Sequence, residues 1–202
     1  GPITLFSDTI LLDKALTSTD DRISLIAAAP ENLTGTLELQ ENGSLTADEL
    51  LVQNFHRTNL RSNGTVSVDV LASNGGDQLL IENNQTLTIG TIDGVDGVSI
   101  TGTGVPSVFR IDTTTGDILV KAPINAQATS ATTIELNAGK SQSVGTASGG
   151  DIKFSDNGAV VLAGDARARL FTGSPENATG LADIADERLV FYDETSTLPT
   201  LD

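Results

Sequence analysis

Apolar and polar residues alternate along much of this chain. Val66-Ser67-Val68-Asp69-Val70 alternates over five residues, and Leu87-Thr88-Ile89, Val98-Ser99-Ile100 and Ile134-Glu135-Leu136 repeat the pattern. A period of two puts every second side chain on one face, so each run predicts a β-strand with one face buried. Short β-prone runs return throughout, at residues 3–5, 23–26, 45, 66–70, 87–89, 108–111, 134–136 and 152–154. Between them stand Asn42-Gly43, Asn63-Gly64, Asn74-Gly75-Gly76, Asp93-Gly94, Asp96-Gly97, Gly149-Gly150 and Asn157-Gly158. Gly and Asn tolerate positive φ, which lets the chain turn sharp corners between strands.

The spacing narrows the architecture. From Ile23 to Leu45, Leu45 to Val66, Val66 to Leu87 and Leu87 to Val108 the interval stays close to 21 residues. Asn-Gly pairs are hairpin signals, so an antiparallel sandwich is one way to use these strands. A sandwich has no reason to hold one interval, whereas a solenoid must complete each coil before the next stacks on it. The expectation is an all-β chain, a right-handed parallel β-helix of roughly 20-residue coils over residues 3–174. Eight or nine coils at strand spacing would make a rod about 40 Å long. The interval slips between residues 112 and 150, where 126–131 and 139–150 read as loop insertions. Residues 175–202 change character: 181–188 suits a short helical turn, 188–192 a strand, and 193–202 a mobile polar end. They read as a C-terminal cap-like segment, covering backbone groups that an open stack leaves unpaired. Gly1-Pro2 reads as an expression-tag scar, and the rest as a piece of a longer protein.

Composition supports a narrow core. Aromatic residues make up 3% of the chain, with no Trp and one Tyr; a globule usually fills its centre with such side chains, while stacked coils need only Val, Ile, Leu and Ala. The formal net charge of −16 repels phosphate backbones and anionic lipid faces, so neither nucleic acid nor a membrane surface is an expected partner. No apolar run approaches the 18 residues of a membrane-crossing helix. The absence of Cys excludes thiolate zinc sites and cysteine nucleophiles. It also suits a chain threaded unfolded through a pore, which cannot carry a disulfide-closed loop.

Several segments, in order along the chain, resemble filamentous-haemagglutinin-like adhesins. Leu87-Thr88-Ile89-Gly90-Thr91-Ile92-Asp93-Gly94-Val95-Asp96-Gly97-Val98 is similar to their LTIGTVDGVxGI segment. Thr115-Gly116-Asp117-Ile118-Leu119-Val120-Lys121-Ala122-Pro123-Ile124-Asn125-Ala126 resembles GDLTVNAPITA, and Ile134-Glu135-Leu136-Asn137-Ala138-Gly139 resembles VTLNAG. Ala168-Arg169-Leu170-Phe171-Thr172-Gly173-Ser174, followed by Gly180-Leu181, resembles the LYTGS…GL element that closes such stretches. The resemblance spans roughly residues 60–195. It implies an internal β-helical section of a two-partner secretion exoprotein, secreted to the surface of a Gram-negative cell. The family's outer-membrane transporter would then be a partner through an N-terminal secretion domain that this sequence lacks.

Candidate chemistry is sparse. His56, the one histidine, lies in the polar stretch Gln53-Asn54-Phe55-His56-Arg57-Thr58-Asn59 and reads as a solvated loop residue, not as the centre of a triad. Asp93 with Asp96, and Asp112 with Asp117, are the carboxylate pairs a polysaccharide-active β-helix would use, but both stand in turn contexts. Neither EF-hand spacing nor a Gly-Gly-x-Gly-x-Asp repeat is present, Gly149-Gly150-Asp151 being the nearest fragment, so no metal site and no cofactor is expected. Thr86/Thr88 and Thr101/Thr103 are too irregular for an ice-binding ladder. Five Asn-x-Ser/Thr sequons, at Asn32, Asn42, Asn63, Asn84 and Asn177, are candidate glycosylation sites. The expected function is a non-catalytic structural and adhesive section of a surface fibre. It would attach to host cells, neighbouring cells or matrix exopolysaccharide. The alternative is a polysaccharide-active β-helix lyase or hydrolase.

Overall fold

The computed structural model describes residues 1–28, 34–61, 64–101, 108–126, 133–141, 150–163, 166–173 and 177–180, and the backbone of 189–193. Among these residues every regular element is a β-strand. The anticipated loops at 126–131 and 139–150 fall mostly outside the described residues, and the anticipated helical turn at 181–188 falls wholly outside them.

Three parallel ladders organise the strands. Ladder A begins with β1 (Ile3–Phe6). It continues through the C-terminal halves of β3 (Ala15–Ile26), β5 (Ser44–Gln53) and β7 (Thr65–Gly75), and ends with β12 (Val98–Ile100), β15 (Ile124–Ala126) and β18 (Val160–Leu162). Ladder B holds eight strands. They are β2 (Thr9–Leu12), β4 (Thr36–Leu39), β6 (Arg57–Leu60), β8 (Gln78–Asn83), β13 (Val108–Thr113), β16 (Thr133–Asn137), β19 (Arg167–Thr172) and β20 (Leu189–Asp193). Ladder C takes the N-terminal halves of β3, β5 and β7, and continues with β9 (Leu87–Ile89), which pairs with the middle of β7 at Val70 and Leu71, β14 (Ile118–Val120) and β17 (Ile152–Phe154). From β1 to β17 the chain visits A, B and C in that order, again and again.

Alternation makes this arrangement work. In ladder B, Ile10, Leu37, Thr58, Leu79, Phe109, Ile134 and Ala168 stand in one column, and each is buried. In ladder A, Leu5, Leu25, Val52, Ser73, Val98, Ile124 and Val160 do the same, with only Leu5 partly exposed. Side chains of all three ladders, among them Leu25, Leu60, Phe109, Leu45 and Ile118, belong to a single buried cluster. Each fully buried aliphatic side chain contributes roughly 1.5–3 kcal/mol. Phe55 and Phe109 are the largest of its fully buried side chains, and nearly all the others are Val, Ile, Leu and Ala, so an aromatic-poor chain fills its interior.

Corners rely on residues that accept positive φ. Asp20 (φ +57°) marks the register shift inside β3 between Ser18 and Arg22, and Asn54 (φ +64°) turns the chain from β5 towards β6. The Asn74-Gly75 pair, anticipated as a turn, instead completes β7 in register with Ser99 and Ile100. There the backbone of Gly75 sits so close to Phe55 that a Cβ would stand 2.9 Å from its carbonyl oxygen.

The even 21-residue interval is only partly realised. Leu45 does lie on Val66. Ile23, however, pairs with Ile3 and Leu50, Val66 with Asn83, Leu87 with Ile118, and Val108 with Gln78 and Thr133. The corners differ in length. The largest described interruption is a hairpin of β10 (Thr91–Ile92) and β11 (Val95–Asp96), inserted between β9 and β12, and it makes the one antiparallel pairing among the described strands. Asp93 (φ +51°) and Gly94 (φ +81°) form its two-residue loop, the geometry Asp-Gly favours. Ile92 packs on Leu51 and Ala72, so the hairpin covers part of the outer face of ladder A.

Candidate functional site

The outward positions of ladder B hold the densest polar cluster among the described residues. Alternation on β13 turns Phe109 and Ile111 inward and sends Arg110 and Asp112 outward. Parallel register then places Arg110 beside Leu80 and Glu135, Glu135 beside Arg169, and Asp112 beside Glu82. Opposite charges on neighbouring strands attract, while Glu82 against Asp112 is a like-charge contact that needs compensation.

Cations supply it. Asp112 has no exposed surface, yet Arg61 Nε lies 3.0 Å from its Oδ2 and Arg110 Nε lies 2.8 Å from its Oδ1. Arg110 Nη1 also reaches Glu135 Oε1 at 2.7 Å. Lys140 Nζ pairs with Glu82 Oε2 and stands 3.9 Å from Asp112 Oδ2, and Arg61 Nε stands 3.8 Å from Glu82. Local backbone bonds deliver these side chains. Lys140 is carried by a turn whose N–H groups at Gly139 and Lys140 donate to the hydroxyl and carbonyl of Thr113. Arg61 leaves the end of β6 with its own N–H donating to Asn59 Oδ1 at 3.3 Å. A buried carboxylate needs this much partnering, because an unpaired charge in such a place costs several kcal/mol.

Beside the cluster lies an open depression of about 300 Å³, lined by Asn59, Arg61, Leu80 and Glu82. Six of the chain's eleven Lys and Arg residues (Arg57, Arg61, Arg110, Lys140, Arg167 and Arg169) belong to ladder B or reach its network. The ladder's described side chains include four carboxylates, Glu38, Glu82, Asp112 and Glu135. On a chain of charge −16 this face is therefore close to neutral.

The residues singled out from sequence fall in several places. Asp112 and Asp117 are not brought together: Asp112 is outward on ladder B, and Asp117 stands before β14 in ladder C. Asp117 takes the N–H of Asp151 at 2.9 Å on Oδ1 and Lys153 Nζ on Oδ2. Burial pushes the Asp117 carboxyl up, but the bonds from Lys153, Asp151 and Gly150 and the Lys153 charge outweigh it and hold the group below its ordinary value. Asp93 lies in the hairpin loop, and Asp96 on β11 follows it. Asp93 lies 3.4 Å from Arg22, and Asp96 accepts the Thr91 hydroxyl across the hairpin. The Asp96 carboxylate thus serves the hairpin, and that of Asp93 ties its tip to β3.

His56 is less exposed than a solvated loop residue. It is about one-third exposed, with Nε2 3.6 Å from Asp77 Oδ2, and its carbonyl accepts the N–H groups of Asp77 and Gln78. No third metal-ligating group joins this pair or any other among the described residues. Of the sequons, Asn42 is exposed in the turn before β5, and Asn177 is half-buried. Asn84 is exposed, but its Oδ1 and carbonyl accept the hydroxyls of Thr114 and Thr115. Asn32 and Asn63 lie outside the described residues.

The Arg61–Glu82–Asp112 cluster escaped sequence reasoning. Arg61 and Asp112 are 51 residues apart, and only strand register brings them together. No helix among the described residues is long and apolar enough to cross a membrane. Comparison of the chain with known protein families, with curated proteins and with solved structures found no match.

Proposed function

We propose that the three ladders are the faces of a right-handed parallel β-helix, and that this chain is a structural and adhesive section of a secreted bacterial surface fibre. The observation that carries the reading is the in-register parallel pairing of ladders that the chain visits in a fixed order around one core. Parallel strands joined by crossovers take the right hand almost without exception. Each winding contacts chiefly the windings next to it, so the body grows in one direction and presents long repetitive faces. Such faces suit reach and multivalent contact with host cells, neighbouring cells or matrix polysaccharide. An outer-membrane transporter acting on a domain outside this sequence would export it. The family resemblance of residues 87–98 and 115–126 is what favours this class over other solenoids.

Attachment of cells displaying the parent protein tests the reading. Deletion of residues 3–195 is expected to lower attachment. Attachment unchanged by the deletion would overturn the proposal. If an unrelated rod of equal length restores attachment, the section is a spacer; if it does not, the section touches the target itself.

One observation favours a polysaccharide-active enzyme as the second reading: Glu82 and Asp112 are carboxylates on adjacent strands beside a depression. Two carboxyl groups flanking a bond are what glycoside hydrolysis uses. Asp112, however, has no exposed surface with which to meet a substrate atom, and Glu82 is engaged by Lys140. Turnover of a pectin, alginate or host glycan by the purified chain would establish the enzyme; none across such a screen removes it.

A further inference from the structure

The depression on β6 and β8 has features that the ion-pair network alone does not require. Arg61 is anchored through Nε, which donates to Asp112 Oδ2 at 3.0 Å and lies 3.8 Å from Glu82; among the described residues its terminal nitrogens make no hydrogen bond. A guanidinium fixed in this way by a buried carboxylate presents a planar fork whose orientation is set before a ligand arrives. Asn59 is fixed similarly. Its Oδ1 accepts the Arg61 N–H, which leaves Nδ2 as a donor on the lining of the depression. Leu80 gives an apolar patch between them, and Glu82 a hydroxyl acceptor held by Lys140.

On the reading of this chain as an adhesive section, we propose that the depression bounded by Asn59, Arg61, Leu80 and Glu82 is a subsite for one acidic sugar of a linear uronate polysaccharide. The chemistry matches group by group. The Arg61 fork takes a carboxylate in two parallel hydrogen bonds. Asn59 and Glu82 offer a donor and an acceptor for ring hydroxyls, and Leu80 contacts the apolar face of the ring. A volume of about 300 Å³ lies at the small end of ligand sites, which fits one sugar and not an enclosed oligosaccharide. The openness of the site lets a polymer enter and leave in both directions. The near-neutral charge of ladder B matters here: at physiological ionic strength the acidic remainder of the molecule is screened beyond about 8 Å, so a polyanion can approach this face.

The test is calorimetric titration of the whole chain, at physiological ionic strength, with oligogalacturonate, oligoalginate, heparin oligosaccharide and neutral dextran. The carboxylated sugars are expected to bind, and dextran is not. Arg61→Lys keeps the charge beside Asp112 but removes the fork, so affinity should fall about tenfold or more. Leu80→Glu places a carboxylate on the half-buried outward face beside the Arg110 cation, and should abolish binding while the melting temperature holds. Binding of heparin alone, equal binding of dextran, affinity unchanged in both variants, or no binding at all would overturn the subsite. Attachment of cells without uronate binding would discard the subsite and leave the adhesive reading standing. Uronate binding without attachment would support the subsite and count against the adhesive reading.

Discussion

The side chain of Asn83 bonds both backbone groups of Val68. Its Oδ1 accepts the Val68 N–H at 2.9 Å, and its Nδ2 donates to the Val68 carbonyl at 3.0 Å while also reaching Gln85 O at 2.9 Å. Asn83 is fully buried, so one amide stands in for a missing strand partner at the place where β7 passes from Asn83 at the end of β8, opposite Val66, to β9, opposite Val70. Asn83→Ala leaves both groups of Val68 without partners. Buried unsatisfied groups cost about 1–3 kcal/mol each, so a loss of about 2–4 kcal/mol is expected by urea denaturation. Amide exchange at Val68 should accelerate with it. A loss below about 0.5 kcal/mol would mean that water or a rearranged strand takes over.

Two glycines separate backbone strain from contact. Gly97 has φ +68°, and a Cβ there would stand 2.0 Å from the carbonyl oxygen of Pro123. Gly94, at the hairpin tip, has φ +81° and open space around it. Gly94→Ala should therefore cost only the left-handed penalty of about 1–2 kcal/mol. Gly97→Ala must also push β12 and the Pro123 strand entry apart, and should lower the melting temperature clearly more. Equal effects would place Gly97 outside a tight inter-strand contact.

Core and surface apolar positions should differ sharply. Phe109 is fully buried in the ladder B column, whereas Leu11, outward on β2, is 56% exposed. Phe109→Ala is expected to cost about 3–5 kcal/mol, and Leu11→Ala to stay within about 0.5 kcal/mol. Chemical denaturation of the two variants side by side checks this.

Acid should weaken the fold through Asp117. Its folded-state pKa is held below the ordinary value of 3.8. The unfolded chain then binds the proton more readily than the folded one, so this stabilisation is complete well above 3.8 and fades as pH falls through the folded value. Asp117→Asn should flatten the acid limb of stability against pH below about pH 4. A limb of unchanged slope would show that other carboxylates carry it.

The strands were legible where alternation and short corners coincide. Leu45 and Val66 differ by 21 residues because nothing but short turns separates their strands, and the register bears this out. The same interval misled at Val66, whose partner is Asn83 and not Leu87, since the corner there is closed by a side chain. Alternation also stopped short in β7. The strand runs on past Asp69, which the pairing with β5 skips, to Gly75, serving ladders C and A in turn, and Asn74-Gly75 looked like a turn because the local residues permit one. The outer-face cluster was illegible for another reason. Arg61 just past β6, Glu82 on β8 and Asp112 on β13 are unequally spaced along the chain, so no motif within one segment signals their meeting. Asp112 was a candidate, but with the wrong partner, because nearness in sequence to Asp117 says nothing about which ladder each residue joins.

The account rests on windings stacked in one direction, and engineered cysteines test that most directly, since the natural chain has no Cys to interfere. Ser44 pairs with Thr65 and Thr46 with Ser67, a constant offset that only parallel strands give. Antiparallel strands with Thr46 opposite Ser67 would instead set Ser44 opposite Asp69. Partners on neighbouring strands lie within disulfide reach, and residues four positions out of register do not. The account predicts that the S44C/T65C and T46C/S67C variants oxidise readily while S44C/D69C stays reduced. Oxidation of S44C/D69C with S44C/T65C left reduced would contradict it.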